Sequence, residues 1–143
     1  LAIGGDGDLN WLKAEITKRK LKNCTEILAA LPALAVADEM QKATAFVLFS
    51  HVESQGVVLL ESFCCGTPAV GPNVGGVPEI LSPERGLLVK PNDVEGLSKA
   101  LRLIASFEMN SSKVAQKAQA QYGPEAIGYQ ILNAYASVLR SNA

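Results

Sequence analysis

Short apolar runs alternate with stretches of helical periodicity along the whole 143-residue chain. Such alternation is typical of a parallel sheet whose strands are connected by crossover helices. The apolar runs that predict strands lie at residues 1–3, 25–28, 45–49, 68–70 and 86–89. The sequence therefore predicts an α/β fold, a Rossmann-like parallel sheet flanked by helices, with extra helices at the C-terminal end.

Helical patterns fill the segments between the predicted strands and continue after the last one. They predict helices from Asp8 or Asn10 to residue 20 and from Asp93 onward, and at residues 33–42, 56–65, 77–81, 111–121 and 124–140. The helix at 56–65 is apolar nearly all round, and the strand at 45–49 is continuously apolar, so we expect both to be buried. The last helix has an apolar stripe for core or domain-interface packing, made of Ile127, Ile131, Leu132, Tyr135 and Leu139.

Composition excludes several classes of protein. Thirteen basic and fourteen acidic residues give a net charge of −1, whereas a nucleic-acid binder needs a basic field. Apolar residues make up 48% of the chain, which rules out global disorder. No uninterrupted apolar run in the sequence reaches the roughly 18 residues that a membrane-spanning helix needs. The lack of an initiator Met leads us to expect a fragment of a longer protein.

The cysteine and histidine residues also limit which kinds of covalent link and metal site the chain can form. The chain has Cys24, Cys64 and Cys65, and its single histidine is His51. An odd count with one adjacent pair is no disulfide framework, and no spacing suits a structural zinc site. This usage predicts a reducing, cytoplasmic compartment.

The most informative residues are two glutamates that flank the start of the predicted 56–65 helix. Glu53 and Glu61 are eight positions apart, and eight steps of about 100° would leave them about 80° apart on one helix. The spacing suits a loop position for Glu53 and a helical position for Glu61, with both carboxylates reaching one ligand. At the helix start, Gly56, Val57 and Val58 would present free N–H groups at the positive end of the helix dipole, which suits phosphate.

A second glycine-rich turn follows the strand predicted at 68–70. Gly75 and Gly76 precede Val77 and Pro78, and glycines allow a backbone to approach a ligand closely. The sequence therefore adds Gly75 and Gly76 to the candidate binding residues.

These segments resemble one known family. Residues 50–61, SHVESQGVVLLE, resemble the E-x7-E motif of the retaining GT-B glycosyltransferases, family 4 (glycosyl transferases group 1) in particular. The resemblance continues through CGTPAV at 65–70, VGGVPEI at 74–80 and RGLLV at 85–89. Residues 1–7, LAIGGDG, are similar to the strand and glycine turn that open the family's nucleotide pocket.

The resemblance implies a role for each candidate residue. Glu53 would be the catalytic residue, contacting the transferred sugar near its reacting carbon, and Glu61 would bind the ribose hydroxyls. The amides of residues 56–58 would hold the diphosphate or the sugar. Leu31 would line the base, and Gly5 would belong to the turn that opens the nucleotide pocket.

The family also implies a domain assignment and a reaction. Residues 1–143 would be the C-terminal donor-binding domain, with its first strand and an N-terminal acceptor domain upstream. The enzyme would transfer a hexosyl group from a UDP- or GDP-sugar to a glycan or lipid-linked acceptor, with retention at the anomeric carbon. We expect no cofactor and no metal ion, and we expect the isolated domain to be inactive. The full-length enzyme would be cytoplasmic, and peripheral contact with the inner face of the membrane stays an open alternative.

Two other functions remain open at the level of sequence. One is a noncatalytic nucleotide-binding domain of the same fold. The other is a Rossmann-type dinucleotide-binding domain, although the Gly4–Gly7 turn lacks the complete glycine set of the dinucleotide fingerprint.

Overall fold

The computed structural model describes residues 2–4, 7–106 and 109–141. The chain divides into two compact units, Leu1–Asp38 and Glu39–Ala143. In the first unit, β1 (Ala2–Gly4) pairs in parallel with β2 (Glu26–Leu28), and α1 (Leu9–Lys18) connects them. Of the two predicted caps of α1, Asp8 is the one used, because its side chain accepts hydrogen bonds from the N–H groups of Asn10 and Trp11. The helix α2 (Ala33–Lys42) follows β2.

The second unit contains a three-stranded parallel sheet in the order β3-β4-β5. Its elements after α2 are β3 (Phe46–Val47), α3 (Val57–Cys64), β4 (Ala69–Pro72), α4 (Val77–Ile80), β5 (Gly86–Val89), α5 (Val94–Ser106), α6 (Ser111–Tyr122) and α7 (Pro124–Ser141). Successive strands are connected by helices, as the alternating pattern predicts, so the α/β parallel architecture is confirmed.

Two clusters of buried side chains form the core of the second unit. The first places α3 against α6, and it contains Leu59 and Phe63, which have no exposed surface. Full burial of a side chain of this size stabilises the fold by about 1.5–3 kcal/mol. The second cluster packs α5 on β4 and β5, and its buried members are Val70, Val89, Ala100 and Ile104.

Arg85 connects α3 with α6 on the surface of the first cluster. Its guanidinium carbon lies 5.8 Å from the centre of the Phe63 ring and 5.3 Å from that of Tyr122. The same group donates to the Tyr122 hydroxyl at 3.2 Å and to Gln121 Oε1 at 2.5 Å. Cation–π contacts of this kind contribute about 0.5–1 kcal/mol at exposed sites, so Arg85 helps to hold the helix that carries the candidate site.

The expectation that α3 is buried nearly all round is wrong. Its buried residues are Leu59, Ser62 and Phe63, whereas Val57 is 54% exposed and Glu61 is exposed. One face of α3 packs on the core, and the face with Val57 and Glu61 remains open. The apolar composition of the helix could not indicate which face would be covered.

A further burial expectation fails for β3. Strand β3 has two residues and both are half-buried, because β3 lies at the end of the three-stranded sheet. The stripe of α7, for which core or domain-interface packing was expected, is exposed: Leu132 and Tyr135 are each 68% exposed. These two residues are therefore not part of the core, and domain-interface packing stays a prediction. Among the described residues, no helix combines the length and the hydropathy that a membrane crossing requires.

A buried hydrogen-bond chain anchors the turn between α3 and β4. Thr67 Oγ1 donates to the Met40 carbonyl at 2.5 Å, and Ser62 Oγ donates to the Thr67 carbonyl at 2.9 Å. We expect Thr67→Val to destabilise the protein by about 1–3 kcal/mol, because the Met40 carbonyl loses its buried donor. Urea unfolding measures the change. Thr17→Val, which removes an exposed hydrogen bond to Lys13, is the control, and equal losses for the two variants would contradict the expectation.

Candidate functional site

The predicted site residues of the second unit lie beyond the carboxyl ends of two neighbouring parallel strands. The loop at 48–56 leaves β3 and the turn at 73–76 leaves β4. Because the strands are parallel, both segments leave the same edge of the sheet. This edge is where ligands bind in open α/β sheets.

The two segments are in direct backbone contact. The Gly76 N–H donates to the Ser54 carbonyl at 2.9 Å. Gly75 has a φ of +52°, and a Cβ at this position would collide with the Glu53 carbonyl oxygen. The close approach that these glycines allow is therefore made to the loop around Glu53. It brings the two segments that the sequence analysis proposed separately into one cluster.

The start of α3 is an open helix N-terminus. Gly56 is its N-cap with a φ of +68°, and the Gly56 carbonyl accepts from the Leu59 N–H at 2.8 Å. Among the hydrogen bonds of the described residues, the N–H groups of Val57 and Val58 have no acceptor. These two donors lie at the positive end of the helix dipole, where an anion is stabilised.

Glu53 is half-buried beside this helix start. Its Oε1 atom accepts hydrogen bonds from the N–H groups of Ser54 and Gly56, each at 3.1 Å. The Gly56 amide, which the sequence analysis assigned to a ligand, is thus engaged by Glu53 in this structure. The sequence analysis missed this local role, although a carboxylate three residues before a glycine at a helix start was a signal for it.

Glu61 lies on the exposed face of α3. It is four residues after Val57, which places the two side chains on the same face, one turn apart. Both are exposed, so Glu61 is accessible on the helix whose N-terminus carries the free amides. Glu61 therefore lies on α3, the helix that begins with Val57 and Val58. The predicted residues that the structure brings together around the start of this helix are Glu53, Gly56, Val57, Val58, Gly75 and Gly76.

The two remaining predicted site residues belong to the first unit. Leu31 is exposed, in the segment between β2 and α2. Gly5 lies outside the described residues. Their assignment to nucleotide binding stays a prediction.

The adjacent cysteines at the end of α3 do not have the properties of nucleophiles. Burial raises the pKa of both the Cys64 and the Cys65 thiol, although the nearby Arg85 opposes this for Cys64. A raised pKa disfavours the thiolate, which is the reactive form. Both side chains are half-buried, and Cys64 packs against the first core cluster.

A cavity of about 440 Å³ lies at the amino-terminal end of β5, next to the start of α6. Arg85, Lys113 and Lys117 line it together with apolar side chains, and none of the predicted site residues does. Lys117 pairs with Glu84 there and lowers the pKa of that carboxyl. Within residues 2–4, 7–106 and 109–141, no three His, Cys, Asp or Glu side chains are grouped so that they could hold a metal ion.

Comparison with known proteins places the chain in a family. The family model described as "Glycosyl transferases group 1" matches residues 1–122. Over 121 residues the chain is 31% identical to a glycogen synthase of Mycobacterium tuberculosis. The aligned region covers 83% of this chain and 29% of that enzyme. It is also 31% identical over 112 residues to an N-acetyl-alpha-D-glucosaminyl L-malate synthase of Bacillus anthracis, covering 75% and 29% of the two chains.

Solved structures share the fold of this chain. Sucrose-phosphate synthase from Thermosynechococcus elongatus superposes with a TM-score of 0.84 at 24% identity, over 99% of this chain and 39% of that one. Anabaena HepE in complex with UDP-glucose superposes with a TM-score of 0.80 at 22% identity, over 95% of this chain and 40% of HepE. The chain therefore spans less than half the length of each of these four proteins.

Proposed function

Because this chain belongs to the glycosyl transferases group 1 family, we propose that it binds the nucleotide-diphosphate sugar from which a glycosyltransferase takes its sugar. The chain would be the donor-binding domain of a longer enzyme, since it spans only 29% of the glycogen synthase that it matches. The complex of HepE with UDP-glucose, a protein of the same fold, supports a nucleotide sugar as the ligand.

One observation carries this proposal: the free Val57 and Val58 amides lie next to Glu53 at the carboxyl edge of the sheet. In transfer from a nucleotide sugar, negative charge develops on the departing diphosphate while the sugar carbon gains positive character. Fixed donors placed where that charge develops lower the barrier. The helix amides would hold the diphosphate, Glu53 would orient the sugar, and Glu61 would accept hydrogen bonds from the ribose.

We also propose that the enzyme transfers a hexosyl group with retention at the anomeric carbon. The acceptor would be a glycan or a lipid-linked sugar bound by another part of the enzyme. We propose that no metal ion is needed, because the amides supply the stabilisation of the leaving group. A cytoplasmic role in polysaccharide biosynthesis, with this domain inactive by itself, completes the proposal.

Thermal unfolding in the presence of nucleotides tests the ligand class. A ligand that binds only the folded state at 100 times its Kd stabilises by about 2.7 kcal/mol. We expect UDP or GDP to raise the melting temperature of the full-length protein, and NAD to leave it unchanged. Stabilisation by NAD alone would contradict the proposal, and nucleotide binding without donor hydrolysis or sugar transfer would favour the noncatalytic nucleotide-binding alternative.

Glu61→Ala should weaken nucleotide binding. A hydrogen bond to a charged group contributes about 1.5–3 kcal/mol, so we expect the Kd for the preferred nucleotide to rise by about tenfold or more. Isothermal titration calorimetry measures this change. Glu95→Ala is the matched control, since Glu95 is an exposed glutamate on α5 paired with Lys99. Unchanged nucleotide affinity in Glu61→Ala would remove Glu61 from the ribose site.

A further inference from the structure

The two oxygens of the Glu53 carboxylate have different surroundings. Oε1 accepts from the Ser54 and Gly56 N–H groups, each at 3.1 Å. No hydrogen bond within the described residues involves Oε2. The carboxylate therefore holds its own loop with one oxygen, Oε1.

The loop that Glu53 holds determines the shape of the whole site. Gly56 adopts a left-handed φ of +68°, and the hydrogen bond from its N–H to Glu53 supports this conformation. An ideal Cβ on Gly56 would lie 3.6 Å from Glu53 Cγ and 3.2 Å from a methyl carbon of Val77, so the turn is also tightly enclosed. The Ser54 carbonyl on the same turn accepts from the Gly76 N–H. These contacts connect the Glu53 side chain to the turn that immediately precedes the first amides of α3.

We infer that Glu53 is a positioning residue in addition to the sugar contact proposed above: Oε1 fixes the 53–56 turn and the first amides of α3, which leaves Oε2 for the substrate. This inference rests on the proposed function for the part concerning Oε2. The part concerning Oε1 stands on the hydrogen bonds alone.

Glutamine at position 53 separates the two roles. The amide oxygen of Gln would accept from the two N–H donors, because the amide NH₂ group cannot accept from them. The NH₂ group would then replace Oε2 toward the substrate. Glu53→Gln therefore keeps the turn and changes the substrate contact, whereas Glu53→Ala removes both.

Amide hydrogen exchange without ligand tests the first role in the full-length protein. We expect the Ser54 and Gly56 amides to exchange at least tenfold faster in Glu53→Ala than in the wild type, and within about twofold of the wild type in Glu53→Gln. Equal exchange in the two variants would overturn the inference, whether both are protected or both exposed. This readout requires no substrate, so it stays informative even if the proposed function fails.

Kinetics with the preferred nucleotide sugar test the second role. We expect Glu53→Gln to keep the KM for the donor within about twofold while kcat falls at least tenfold, and Glu53→Ala to change both constants. A merely structural role would leave kcat of Glu53→Gln at the wild-type level, and that result would overturn the assignment of Oε2 to the substrate.

Discussion

Replacing Glu53 by alanine in the full-length protein is expected to lower kcat for sugar transfer by about 100-fold or more. The variant loses the carboxylate that would orient the sugar, and it also releases the hydrogen bonds to Ser54 and Gly56. Misplacement of reacting groups by about 1 Å alone can cost about 100-fold in rate. Steady-state assays with a saturating nucleotide sugar measure the effect.

The control for this variant is Glu95→Ala, which removes an exposed glutamate from α5. It should retain the kcat of the wild type, which shows that the loss is specific to position 53. Turnover close to that of the wild type in Glu53→Ala would exclude Glu53 from the reaction.

The second large effect is expected for Gly75→Ala. Gly75 has a φ of +52°, and its added Cβ would collide with the Glu53 carbonyl oxygen. A left-handed conformation costs a residue with a Cβ about 1–2 kcal/mol, and forced overpacking costs about 1–3 kcal/mol. We expect a loss of about 3 kcal/mol and a melting temperature lower by about 10 °C, together with at least tenfold weaker nucleotide binding as the turn moves away from residues 53–54.

Gly128→Ala provides the matched control. A Cβ at Gly128 would meet no atom within 4 Å, and this glycine lies inside α7, where alanine is favoured by about 0.5–1 kcal/mol. The control should melt at the wild-type temperature or slightly above it. If Gly75→Ala also retained wild-type stability and nucleotide affinity, the contact between the two turns would have no role in the site.

The order and type of the elements could be predicted from local pattern. The helix predicted at 33–42 and the strand predicted at 86–89 have those bounds in the structure. In these segments helical periodicity or continuous apolar character agrees with the local propensity of the residues. Pairing of the strands in parallel then follows from the crossover helices between them.

Burial was harder to predict, because it depends on which neighbours cover a face. An apolar helix such as α3 has the same sequence pattern whether one face or all faces are covered, and here Val57 remains 54% exposed. The same applies to α7, where Leu132 and Tyr135 are exposed although their spacing suits a core.

Within the candidate site, the structure brings predicted residues together through contacts that the sequence did not indicate. Glycines at 75 and 76 have the same signature whether a ligand or a neighbouring loop approaches them, and in the structure the residues that approach are Glu53 and Ser54. The capping of Gly56 by Glu53 depends on a left-handed φ. The resemblance to a family could not indicate that geometry.

A crystal structure of the full-length protein with bound UDP or GDP, whichever raises the melting temperature more, would test the proposed donor site. The proposed donor site requires diphosphate oxygens within about 2.7–3.2 Å of the Val57 and Val58 nitrogens, and the ribose hydroxyls at Glu61. A nucleotide bound elsewhere, for instance in the cavity of about 440 Å³ lined by Lys113 and Lys117, with both amides facing solvent, would contradict it.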